Sequence, residues 1–139
     1  MKTKITLTMT IGLLFLAAAF AVPAALAAPG PFNGAWESID IDGSYQTMHI
    51  GGGPGDLHRF RYHDDGATVC GLDPVTGDIL FAADAGGWLT ASGDQLTGTL
   101  SLYCKTTPPS FNGDYNFVFT YDPGTDTLTD QTGVVWTRR

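Results

Sequence analysis

Leu96-Thr97-Gly98-Thr99-Leu100-Ser101-Leu102-Tyr103-Cys104 and Tyr115-Asn116-Phe117-Val118-Phe119-Thr120-Tyr121 decide the fold. The first run puts Leu96, Leu100, Leu102 and Cys104 on one face and Thr97, Thr99 and Ser101 on the other. The second puts four aromatics, Tyr115, Phe117, Phe119 and Tyr121, on a single face, with Val118 pointing outward. Strict alternation of this length marks half-buried antiparallel strands, because successive side chains of a strand leave opposite faces.

Working outward, the same two-residue period recurs between short turn signals. Strands are expected over 35–41, 45–50, 57–63 and 68–72, then over 79–83 and 88–91, or as one long strand bulged at Gly86-Gly87. Two more follow the opening pair, over 127–130 and 134–138. Asp42-Gly43 signals a two-residue type I′ hairpin turn. Lys105–Asp114 reads as a loop, and Gly51–Asp56 as a flexible one without the Lys or Ser/Thr that a phosphate loop requires. No window after residue 27 shows a 3.6-residue period.

Short consecutive connections favour a meander over a Greek key, and eight strands in a meander abolish their edges by closing. The expectation is an all-β, antiparallel eight-stranded up-and-down barrel, with an open two-sheet β-sandwich as the alternative. The expected core is Phe60, Tyr62, Val69 or the Cys70/Leu72 face, Leu80, Leu96, Leu100, Leu102, Phe117, Phe119, Leu128 and Trp136.

Residues 1–27 read as an export signal: the basic Met1–Lys4, the apolar Ile5–Ala21, and a small-x-small site ending at Ala27. The alternative is an uncleaved anchor, since Ile5–Ala21 approaches the roughly 20 residues a spanning helix needs. Cleavage leaves residues 28–139 as a single secreted or periplasmic domain with no remaining membrane span. Loss of Lys2 and Lys4 leaves five basic residues against 14 acidic ones. That balance disfavours nucleic acid and anionic membranes as partners, since both would repel the chain. Two cysteines in an exported chain pair only as Cys70–Cys104, the alternative being two buried thiols; neither redox CxxC spacing nor a four-ligand zinc site is present.

Gly34-Ala35-Trp36 at the first strand and Val134–Arg139 at the last resemble the G-x-W signature and final strand of the calycin superfamily, the lipocalins, avidins and their relatives. The resemblance implies an up-and-down barrel with a small ligand in its mouth, and a basic residue, Arg138 or Arg139, packed over Trp36. Where lipocalins carry Thr-Asp-Tyr, this chain has Thr125-Asp126-Thr127.

The first functional expectation is therefore a non-catalytic module that binds a small apolar or amphipathic molecule against Trp36, Phe60, Tyr62, Phe117 and Phe119. The alternative is a structural or interaction domain of the cell envelope, contacting protein or glycan through its outer face or the 105–114 loop. A hydrolase is the third reading: Glu37 is the sole glutamate, and no Gly-x-Ser-x-Gly elbow or nucleophile spacing is found. No cofactor is expected. Asp40–Ser44 resembles the start of a calcium loop but lacks its later ligands, and His49, His58 and His63 lack tight metal spacing. Arg59, Arg61 and His63 share one strand face, read either as a cationic stripe for a carboxylate or sulfate or as a solvated face paired with acids across the ladder.

Overall fold

The structure, a computed structural model, describes residues 30–139; the expected signal of residues 1–27 lies outside the described residues. Eight antiparallel strands follow one another around a closed barrel, each paired with its neighbours in sequence and the last with the first. They are β1 (Gly34–Ile39), β2 (Tyr45–Gly52), β3 (Leu57–Asp64), β4 (Ala83–Ser92), β5 (Gln95–Cys104), β6 (Ser110–Asp122), β7 (Thr127–Asp130) and β8 (Val135–Arg138). The up-and-down barrel is the architecture present. No helix among the described residues is long and apolar enough to cross a membrane.

The inward residues of each strand make the core. Trp36, Met48, Ile50, Phe60, Leu89, Leu96, Leu100, Phe119, Leu128 and Trp136 are all buried. In an eight-stranded barrel, side chains of this size fill the bore through its middle. At Gly98 a Cβ would lie 2.7 Å from Leu89 and 2.8 Å from the Trp88 carbonyl oxygen, so glycine lets β5 and β4 close together there.

Several expectations are corrected. Residues 68–72 form no strand: Thr68–Cys70 is a single 3-10 turn inside the long connection between β3 and β4. Gly66 and Gly71, the latter with φ 127°, bracket a segment too short to join the ladder. Residues 79–82 belong to that same connection, and β4 is one long strand whose pairing with β5 skips Gly87–Leu89. Val69, Leu72 and Leu80 consequently lie outside the barrel, 51%, 48% and 47% exposed, and leave the expected core. Half of the 105–114 loop is strand, because β6 begins at Ser110. The first hairpin is not a two-residue type I′ turn. The Gly43 amide donates to the Asp40 carbonyl and the Asp40 amide to Ser44, with positive φ (89°) at Gly43, a turn closed by one left-handed glycine.

Cys70 and Cys104 are disulfide-bonded, with Cα atoms 5.4 Å apart. The bond does not join adjacent strands. It fastens the β3–β4 connection to the end of β5.

Candidate functional site

The two ends of the barrel differ, and the difference places the site. At the end where β1 begins, Phe32 plugs the bore and accepts a 2.9 Å hydrogen bond from the Trp36 indole. Its ring meets His58 and Tyr121 edge-on at 5.6 and 6.0 Å. Arg138 lies over the Trp36 ring at 4.1 Å. Its guanidinium donates to the carbonyls of Pro31 and Asn33 and, at 2.8 Å, to both carboxylate oxygens of Asp126. That hydrogen bonding holds the Asp126 carboxyl below its ordinary range and raises Arg138. A Cβ at Gly34 would sit 2.7 Å from the Arg138 nitrogen, so the glycine of Gly34-Ala35-Trp36 is what admits the arginine.

The opposite end is open. In an up-and-down barrel alternate connections share an end, so the β1–β2, β3–β4, β5–β6 and β7–β8 turns all surround this mouth. Two adjoining hollows of about 180 and 130 Å³ occupy it, both bounded by Asp40, Tyr62, Phe117 and Gln131. The floor is aromatic. Tyr62 packs on Phe117 at 5.9 Å and on Trp136 at 6.1 Å, and Phe119 meets Phe117 and Trp136 at 6.2 Å.

The rim is polar and anionic. Buried Asp64 accepts hydrogen bonds from the Tyr62 hydroxyl (3.1 Å), the Gln46 amide (3.3 Å) and the Gly66 backbone amide (3.0 Å). Asp130 accepts from the Trp136 indole at 3.3 Å and from the Thr132 backbone amide and hydroxyl. Burial raises the Asp40 carboxyl, against a backbone hydrogen bond from Ile41 and with help from the charges of Asp42, Asp64 and Asp130. Burial, then the carboxylates of Asp64, Asp40 and Asp130, push the Tyr62 phenol far upward. No lysine, arginine or histidine lines either hollow. Such a surface accepts an apolar body on the rings and a hydrogen-bond donor or cation at the rim. Comparison of the chain with models of known protein families, with curated proteins and with solved structures returned no match.

Of the five residues expected to touch a ligand, Tyr62, Phe117 and Phe119 line the mouth. Trp36 and Phe60 do not reach it: they are 0% and 1% exposed, Trp36 under Arg138 at the closed end and Phe60 beneath Phe117 and Phe119. Trp136 and the rim residues Asp40, Gln46, Asp64 and Asp130 were missed as site residues. Their signal was topological, since each stands beside a turn of the open end.

The three histidines are dispersed. His58 belongs to the closed-end plug, with Nδ1 2.9 Å from Asn33 Oδ1. His49 points outward, and His63 lies between Asp84 and Asp65 on the outer wall. Among the described residues no group of three His, Cys, Asp or Glu side chains is placed to hold a metal ion.

Proposed function

We propose that this protein is an exported, non-catalytic binding module that takes one small amphipathic molecule in the mouth of its barrel. The observation that carries the reading is the asymmetry of the bore: sealed by Phe32, Trp36 and Arg138 at one end, aromatic-floored and open at the other. Export rests on the composition of residues 1–27 together with the Cys70–Cys104 bond, which suits an oxidising compartment. The arginine stacked on the tryptophan of the Gly34-Ala35-Trp36 strand supports a calycin-like reading of the barrel. The ligand's apolar part rests on Tyr62, Phe117, Phe119 and Trp136, and its donor group faces Asp40, Asp64 and Asp130.

The test is fluorescence titration with N-phenyl-1-naphthylamine and with dodecyltrimethylammonium. Saturable one-to-one binding is expected, with the emission of Trp136 changing. Thr68→Trp, a substitution of an exposed residue on the mouth, is expected to weaken binding about tenfold or more by filling the entrance. Absence of saturable binding, or binding indifferent to Thr68→Trp, refutes the reading.

One observation favours the envelope-interaction alternative. Tyr103 and Phe111 form an outward edge-to-face pair, 5.6 Å between centroids, about half exposed. If that pair is a contact surface, Phe111→Ser abolishes association with isolated cell envelopes and leaves mouth binding intact.

A further inference from the structure

We propose that the outer wall over β2, β3 and β4 is a second binding site, separate from the mouth, for a small molecule bearing a carboxylate, sulfate or phosphate group. Arg61 is its anchor, flanked by Arg59 and His49.

The first ground is charge pairing. After residue 27 the chain has five basic residues and 14 acidic ones, so a basic side chain without an acid is unexpected. Lys105 pairs with Asp84, Arg138 with Asp126 and Arg139 with Glu37. Among the described residues, Arg59 and Arg61 have neither a salt bridge nor a side-chain hydrogen bond. The ladder explains why: Arg59 stands between Gly51 and Trp88, and Arg61 between His49 and Gly86, with no carboxylate across from either.

The second ground is shape. Two adjoining hollows of about 480 and 270 Å³ run along this wall, and His49 and Arg61 border both. Each arginine faces a glycine across one ladder: Gly51, opposite Arg59, lines the smaller hollow, and Gly86 stands opposite Arg61. Neither glycine is demanded by the backbone: a Cβ on Gly51 would come no closer than 3.9 Å to its neighbours, and one on Gly86 no closer than 3.5 Å. Neither has a positive φ. What their missing side chains provide is open space beside two guanidinium groups.

A guanidinium fork matches an oxyanion in a two-pronged geometry and binds it far better than water-exposed charge alone suggests. Asp84, which lines the larger hollow, is already occupied by His63 at 2.5 Å and Lys105 at 3.2 Å, and Glu37 is held by Arg139 at 3.3 Å and the Tyr45 hydroxyl at 2.7 Å. The negative charge of the rest of the molecule repels a long polyanion, so the occupant is compact and touches only this wall.

Binding is read by two-dimensional NMR titration of the folded protein at low ionic strength with inorganic sulfate, citrate and glucuronic acid as separate probes. The result expected is saturable shifts confined to His49, Arg59, Arg61 and Gly86 for at least one probe. Arg61→Gln and, independently, Gly86→Val are each expected to weaken it about tenfold. The valine suits a strand and takes up the space beside Arg61 without removing charge. Thr68→Trp leaves binding unchanged. The proposal is overturned if no probe saturates, if Thr68→Trp weakens binding as much as Arg61→Gln, if Gly86→Val folds and binds normally, or if the shifts spread over the whole surface.

Discussion

Arg138 secures the closed end by stacking on Trp36 and by donating to two loop carbonyls and to Asp126 at the same time. An arginine–carboxylate pair on an exposed surface contributes little. Here the stem and guanidinium also cover an indole that is itself fully buried, so replacement exposes Trp36 as well as losing the pair. Arg138→Gln is expected to destabilise the fold by about 2 kcal/mol, measured as a shift in the urea midpoint, whereas Arg139→Gln, on a largely exposed side chain, changes it little.

His58 sets a pH dependence of known sign. Burial lowers its imidazole below the ordinary value, partly opposed by the charge of Asp56. Between the lowered folded value and about 6.5 the unfolded chain binds more protons than the native one, so stability rises with pH through that window. Acidification through the same window removes it. The fall in denaturation midpoint from about pH 7.5 to 5.5 is expected to shrink in His58→Gln, which leaves the other histidines in place; an equal fall in both proteins would contradict this.

At the scale of elements, what could be read from the chain and what could not separate along one line. The alternation of Leu96–Cys104 and Tyr115–Tyr121 places β5 and β6, with Leu96, Leu100, Leu102 and Phe119 buried as expected. Thr127–Asp130 coincides with β7. Alternation fails for residues 65–82, where Val69, Leu72 and Leu80 look like strand core but belong to a connection held by a covalent bond. Local pattern reports which face of a strand is apolar and is silent on whether a segment joins the ladder. The rim acids were hidden differently. Asp40, Asp64 and Asp130 each look like turn formers in isolation, and only the alternation of turns around a closed meander brings them to one end.

The β3–β4 connection depends on its tether. It forms the wall of the larger mouth hollow through Ala67, Thr68 and Val69. Cross-linking residues 34 apart is expected to stabilise the fold by about 3–4 kcal/mol. The double variant Cys70→Ser/Cys104→Ser is expected to lose that much in chemical denaturation and also to bind mouth ligands more weakly, because residues 67–69 lose their anchor. Unchanged mouth binding in a destabilised but folded variant would show that the wall holds without the bond.

Across the whole molecule the barrel is uneven around its circumference. β5 and β6 pair continuously from Gln95–Thr120 to Cys104–Ser110, apart from a shift near Leu102. The closing seam is short: β1 meets β8 through Trp36–Arg138 and Glu37–Thr137, reinforced by the Ser38 hydroxyl donating to the Val135 carbonyl at 2.7 Å. β7 and β8 are four residues each. Local opening free energy follows such differences. Amide hydrogen exchange is therefore expected to be faster at β8 and at residues 36–37 than at Leu100 and Leu102, and uniform protection would contradict it.

That narrow closure has a consequence for the protein in concentrated solution. When β8 lifts away, it frees the flank of β1 and keeps its own register pattern, so the nearest acceptor for the departed strand is the same flank on another molecule. Exchange of β8 between two such molecules rebuilds each barrel with a borrowed stave, and a domain-swapped dimer is the oligomer that mild destabilisation of this fold should yield first.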